Sequence, residues 1–305
     1  MNPKILDLKI LFFLFIILVF TAISKTHAGD TKVIQEKTFK TEAGKNLRLD
    51  AASGDVYVST WDKPEVSVKI SGNKKAYDKV KFRYDNDQDG VTIVAKRESW
   101  ISFLSWGGIY LKFEIKIPSN YNTLLSTAGG DIRVSDLKGI IKVKTSGGDI
   151  NIRNTRGIIN SSTSGGDIRL EENNGEINVS TSGGDIIVKD FSGNVALSTS
   201  GGDIQLNGAD GRIKAETSGG DINLVYSGNN EGISLHTTGG DIFVKVPKNF
   251  SARADLSTTG GDVECELPIT SHGKFTSSKL KGEINGGGRL LNCYTSGGDI
   301  KVIAQ

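Results

Sequence analysis

The tripeptide Gly-Gly-Asp recurs along the second half of this chain, ending at Asp131, Asp149, Asp167, Asp185, Asp203, Asp221, Asp241, Asp262 and Asp299. The first five steps are 18 residues each, followed by steps of 20 and 21. A fixed period of this length means that one supersecondary unit is repeated, and that each unit buries its apolar face against its neighbours. Gly282-Glu283-Ile284-Asn285 lies in the long interval before Asp299 and reads as a degenerate copy, which brings the expected number of coils to about ten.

Counting from each Asp, position +1 is Ile132, Ile150, Ile168, Ile186, Ile204, Ile222, Ile242, Val263 or Ile300, and position +3 is again aliphatic, as in Val134, Ile152 and Leu170. This alternation is the signature of a strand. A glycine at +8 (Gly139, Gly157, Gly175, Gly193, Gly211) precedes a second strand with aliphatic residues at +10, and a threonine stands at +14. Each unit is therefore two similar strand-and-turn halves. The expected fold is all-β, a parallel β-solenoid (β-helix-like) of about ten 18-residue coils, with strands pairing at ~4.8 Å along a rod about 45–50 Å long. An extended antiparallel meander is the alternative. A hexapeptide helix is disfavoured, because Ile150 is followed at six-residue spacing by Arg156 and Ser162.

Glycine totals 38 residues against 5 prolines, and 37% of the chain is apolar, a composition that fits neither collagen nor a disordered tail. Two adjacent glycines allow positive φ at a corner, and an Asp after them can accept backbone N–H bonds. Stacking sets these carboxylates roughly 5 Å apart, where like charges repel, so backbone donors, nearby Lys or Arg, or cations must offset the cost. Calcium is disfavoured: one carboxylate per coil supplies few ligands to an ion that takes 6–8 oxygens. No metal or other cofactor is indicated. Thr145, Thr163, Thr181, Thr199 and Thr217 share parity with the apolar Ile141 and Val143, which places them inward near a corner and argues against an ice-binding face.

The chain begins with a lysine-bearing stretch, an apolar run from Ile10 to Ile23, and the small-residue exit Thr26-His27-Ala28. This is a signal-peptide pattern, and the run is shorter than the ~18–20 residues of a spanning helix. An uncleaved anchor is the rival reading. Cleavage after Ala28 leaves no membrane span and implies export to the periplasm, the exterior or the cell surface. Removing residues 1–28 takes Lys4, Lys9 and Lys25 against Asp7 from a chain of 37 basic and 35 acidic residues, so the remainder is neutral. Nucleic acid is accordingly disfavoured as a partner. Cys265 and Cys293 either pair or serve as small buried hydrophobes.

Residues 29–125 lack the period but alternate as strands and are expected to cap the solenoid of residues 126–305. Ser53-Gly54-Asp55-Val56 is an isolated early version of the repeat turn, and the run from Asp85 to Gly90 (DNDQDG) is expected to be a solvated turn rather than a calcium loop. Trp100, Phe103 and Trp106 lie in an aromatic stretch that either covers the solenoid end or forms a contact surface for a glycan, lipid interface or partner.

The exported leader, the early Ser-Gly-Asp-Val segment, Lys116-Ile117-Pro118 and the serial Thr-Ser-Gly-Gly-Asp-Ile units together resemble the bacterial putative-adhesin family of β-strand-repeat proteins of otherwise unknown function. The resemblance implies an extracytoplasmic, non-enzymatic role and adhesion, with a glycan or surface protein as partner; it transfers no catalytic residue. A β-helix polysaccharide lyase or hydrolase is the alternative, but such sites need a carboxylate cluster that differs from the repeat. Here the acidic residues recur mostly once per coil, and His236 and His272 fall in different coils. A third reading is an envelope-stress or assembly factor that self-associates through its last strand, Asp299 to Ala304, expected to be an uncovered edge.

Overall fold

The computed structural model describes residues 31–97, 108–271 and 276–305. The chain is all-β, an open sheet not closed into a barrel, with 25 strands in the described residues. Its first part comprises β1 (Lys32–Lys40), β2 (Asn46–Ala51), β3 (Asp55–Trp61), β4 (Glu65–Gly72), the short helix α1 (Lys74–Lys79), β5 (Val80–Asp87), β6 (Gly90–Arg97), β7 (Leu111–Pro118) and β8 (Asn122–Thr127). Alternation chooses the inward face in each: Leu47 and Leu49, Val56 and Val58, and Phe113, Ile115 and Ile117 are buried. The turn from Asp87 to Gly90 closes the antiparallel β5–β6 hairpin, where the Asp89 N–H donates to Asp87 Oδ1 at 2.8 Å.

The repeats supply β9 (Ile132–Ser135), β10 (Lys138–Lys144), β11 (Ile150–Ser162), β12 (Ile168–Ser180), β13 (Ile186–Ser192), β14 (Val195–Ser198), β15 (Ile204–Ala209), β16 (Ile213–Glu216), β17 (Ile222–Tyr226), β18 (Ile233–His236) and β19 (Ile242–Val246). Residues one period apart are ladder partners. Ile150 pairs in parallel with Ile132 and Ile168, Ile168 pairs with Ile186, and all four are buried. First-half strands stack as β9, β11, β12, β13, β15, β17 and β19; second-half strands stack as β10, β11, β12, β14, β16 and β18, with β11 and β12 running through both stacks. Each buried Ile or Leu contributes about 1.5–3 kcal/mol, and a rung obtains that burial only from its neighbours.

The glycines act differently from the sequence expectation. Positive φ falls at the +8 glycines Gly139, Gly157 (138°), Gly175 (132°) and Gly193, and within the repeated Gly-Gly pairs only at Gly130 (121°). The second glycine of each pair is required instead by close approach: a Cβ on Gly166 would stand 2.1 Å from the Gly148 carbonyl oxygen of the preceding rung.

At both ends the chain order of the rungs is interrupted. β2 pairs in parallel with β6 and β8, and β3 with β7 and β9, so the first rung in sequence lies between two later ones. At the other end lie β20 (Ala252–Thr258), β21 (Val263–Cys265), β22 (Ile269–Ser271), β23 (Lys279–Ile284), β24 (Leu290–Thr295) and β25 (Ile300–Ala304). β24 pairs in parallel with both β18 and β20, and β25 with both β19 and β21. The last rung in sequence is thus inserted between two earlier ones.

Two expectations are corrected here. The strand from Asp299 to Ala304 is not a free edge, because partners on both sides use its backbone groups. Gly282-Glu283-Ile284-Asn285 is not a further parallel coil: β23 runs antiparallel to β20 and β22, since the segment continues into Asn285, Gly286 and Gly287, all at positive φ, instead of a second aliphatic position. Antiparallel strands β5 and β4 cover the opposite end by pairing with β6 and β7. Strands that turn back in this way spare the outer rungs a bare row of N–H and C=O groups.

Candidate binding surface

The Gly-Gly-Asp corners form a continuous ladder. The N–H of Asp149 donates to Asp131 Oδ1 at 3.0 Å, and the pattern continues through Asp167, Asp185, Asp203, Asp221 and Asp241 at 2.8–2.9 Å. It begins at Asp55, which accepts from the Asp131 N–H at 3.1 Å, so the early Ser-Gly-Asp turn is a full member. It ends through Asp299 and then Asp262, in the spatial order set by the inserted rung. These charge-assisted bonds to the next rung's backbone are what offset the stacked like charges. Just inside, each threonine hydroxyl donates to the glycine carbonyl of the preceding rung, as Thr181 does to Gly166 at 3.0 Å, and Thr145, Thr163, Thr181, Thr199 and Thr217 are buried as their parity predicts. Every ladder aspartate but the terminal Asp262 thus accepts a neighbouring rung's backbone N–H; among the described residues no three His, Cys, Asp or Glu side chains are grouped to hold a metal ion.

Rigid corners leave the outward side chains in register. On the second-half stack, Arg48, Leu124, Lys142, Asn160, Asn178, Ala196 and Lys214 form one row, and Asp50, Ser126, Lys144, Ser162, Ser180, Ser198 and Glu216 form the next. The central residues are short and those at either end long, so the face dips into a groove of about 740 Å³. Asn178 Nδ2 donates to Glu176 Oε1 at 2.9 Å and approaches Asn160 Oδ1 at 3.5 Å. Lys214 pairs with Glu216 at 2.9 Å and Asp50 with Lys96 at 3.5 Å. The partly exposed Leu124, Ile140 and Ile158 give one margin of the groove an apolar border. Farther along the same face the exposed His236 stacks on Tyr294 with ring centroids 4.9 Å apart.

The first-half stack presents a different surface. Tyr57 lies between Lys112 and Arg133, whose charged groups sit 4.7 and 5.0 Å from its ring centroid, and the Arg133 guanidinium donates to Tyr57 Oη at 2.9 Å. Lys63 and Lys116 flank Trp61 at 5.1 and 5.9 Å. Tyr57, Lys112 and Arg133 lie far apart in the sequence, and strand pairing between distant segments brings them together. The signal available in sequence was parity, which puts Tyr57, Lys112 and Arg133 on outward positions.

Trp100, Phe103, Trp106 and His272 lie outside the described residues, as do residues 1–30. Cys265 and Cys293 are free thiols. Burial pushes the Cys293 thiol far above its ordinary range, with nearby Cys265 adding to the effect, and burial also raises Cys265. Among the described residues no helix is long and apolar enough to cross a membrane.

Solved structures with a similar chain course include a putative adhesin from Parabacteroides distasonis, 12% identical with a TM-score of 0.39 over 90% of this chain and 98% of that one. A putative adhesin from Bacteroides fragilis is 14% identical, with a TM-score of 0.36 over 89% of this chain and 97% of that one. A putative cell adhesion protein from Clostridium sporogenes is 13% identical, with a TM-score of 0.30 over 90% of this chain and all of that one. No curated protein matches the chain. The sequence model of the Toastrack DUF4097 family matches residues 44–303, and with this match, which spans the stacked repeats and most of the strands before them, the chain belongs to that family.

Proposed function

We propose that this is an exported, non-enzymatic β-solenoid protein of the bacterial envelope, an adhesin or scaffold that presents its second-half face to a glycan or surface protein. Residues 29–125 close one end of the solenoid and residues 126–305 form its repeats. The observation that carries the reading is the groove itself: short hydrogen-bonding side chains (Asn160, Ser162, Asn178, Ser180) recur once per rung between the cationic Lys142 and Lys144 at one end and Lys214 at the other. Rungs spaced by ~4.8 Å offer the same group repeatedly, which suits a polymer of repeating units better than a compact small molecule. Solvent-facing residues vary between coils while the ladder stays constant, as Arg153, Asn154 and Arg156 give way to Glu171, Glu172 and Asn174 one rung on, so surface chemistry can change without disturbing the support. The leader pattern supports export, and Trp100, Phe103 and Trp106 remain a second proposed contact.

The test is binding of the leader-free chain to glycan panels and envelope fractions, with N160A/N178A and K142A/K144A variants. All four side chains point outward from the strands, so loss of binding with an unchanged circular dichroism spectrum supports the groove. Unchanged binding in both variants refutes it. Polysaccharide turnover by the purified protein would instead favour the lyase or hydrolase reading.

A further inference from the structure

Three parts of the chain converge on α1. Lys32, at the start of β1, pairs with Gly72, which leads into the N-cap Asn73; the Asn73 side chain accepts from the Ala76 N–H at 3.0 Å. Arg97, at the end of β6, pairs with Val80 just after the helix. Gly108 accepts a hydrogen bond from Asn73 Nδ2 at 2.5 Å, and the Tyr110 N–H donates to Asn73 Oδ1 at 3.4 Å. Both long stretches outside the described residues, 1–30 and 98–107, therefore join the fold at this one helix.

The described surface around this helix is aromatic and basic. Tyr77 is 68% exposed, Val33 52% and Tyr110 43%. A groove of about 640 Å³ is lined by Val33, Ile34 and Tyr77 and rimmed by Lys32, Lys74 and Lys75. The helix carries Lys74, Lys75 and Lys79 against one acid, Asp78. Tyrosine with an apolar body and a polar tip, beside a lysine excess, is the composition favoured at the boundary between lipid and water.

We propose that this end of the stack seats on the surface of an anionic phospholipid bilayer, with Tyr77, Tyr110 and Val33 entering the headgroup region and Lys32, Lys74 and Lys79 meeting lipid phosphates. The rods then stand with their N-terminal end on the membrane and the groove displayed to the side. Attachment draws on charge and apolar insertion together, because either alone gives only marginal binding. This seat is separate from the groove proposed above, and each can fail without the other.

The experiment is cosedimentation of residues 29–305, which carry all the strands of the described residues, with vesicles of phosphatidylcholine alone or with roughly one-third phosphatidylglycerol, at low and high salt. Salt-sensitive binding to the anionic vesicles is expected. Lys74→Ala lowers the partition constant about fivefold, the effect of one lysine near an anionic surface. Tyr77→Ala lowers it as well, and both sites are exposed, so circular dichroism stays unchanged. Lys142→Ala, in the groove, leaves partitioning as it was. Equal partitioning of all variants, loss through Lys142 alone, or no binding to either vesicle overturns the proposal. A dimer that depends on Tyr77 without vesicle binding overturns it in favour of a second copy of the chain.

Discussion

In each repeated Gly-Gly pair the two glycines have unequal roles, which Gly166→Ala and Gly165→Ala separate. An added Cβ on Gly166 meets the Gly148 carbonyl oxygen at 2.1 Å, its carbon at 2.5 Å and Asp149 Oδ1 at 2.8 Å. Restoring ordinary contact requires the two rungs to part locally by about 1 Å. The bonds that cross this corner are Thr163 Oγ1 to Gly148 O at 3.0 Å, Asp167 N–H to Asp149 Oδ1 at 2.9 Å and Ile150 N–H to Asp167 O at 2.9 Å. Losing two or three of them at about 1 kcal/mol each gives an expected destabilisation of about 2–3 kcal/mol. Gly165 has no atom closer than 3.9 Å to its added Cβ and no left-handed φ. Gly165→Ala therefore stays within about 0.5 kcal/mol of the parent, or gains slightly by restricting the unfolded chain. Urea unfolding followed by circular dichroism, with hydrogen exchange to locate the loosened rungs, measures both. Equal midpoints, or greater damage at Gly165, would refute the close stacking of equivalent glycines.

The aspartate ladder makes a second prediction: Asp185→Asn keeps an Oδ1 acceptor for the Asp203 N–H at 2.8 Å and removes a like charge, so it is neutral or stabilising at low salt, whereas Asp185→Ala costs about 1–2 kcal/mol in the same assay. Deleting residues 299–305 removes the strand between β19 and β21, so thermal melts should show strong destabilisation rather than a change in oligomeric state of an otherwise intact fold. Burial raises the Tyr84 phenol to about 12, and its oxygen is buried without a hydrogen-bond partner. The unfolded phenol ionises first, near its ordinary 10, so Tyr84 makes stability fall as pH rises from about 10 to 12, and Tyr84→Phe should flatten that part of a stability–pH curve. Cys293, fully buried with its thiol held neutral, should resist iodoacetamide in the folded protein and react only on unfolding; rapid native labelling would contradict the packing of β24.

The period of 18 and the two-residue alternation were enough to place Ile150 beside Ile168, to turn the threonines inward and to call for a partner to the aspartate column, because each is a local pattern repeated until only stacking buries it. The same reasoning could not order the terminal rungs. Ile300 has the same local sequence whether it ends the stack or enters it, and its place between Ile242 and Val263 depends on β22 and β23 turning back first. Nor could it bring Tyr57 to Lys112 and Arg133, which are separated by long stretches of chain. What the sequence alone determined is the cross-section of a rung, since side-chain parity and corner chemistry act over a few residues. What only the tertiary structure decided is the order of rungs at the ends and the surfaces that order creates, because pairing between identical ladders carries no address and the choice among them is made by which edges must be covered.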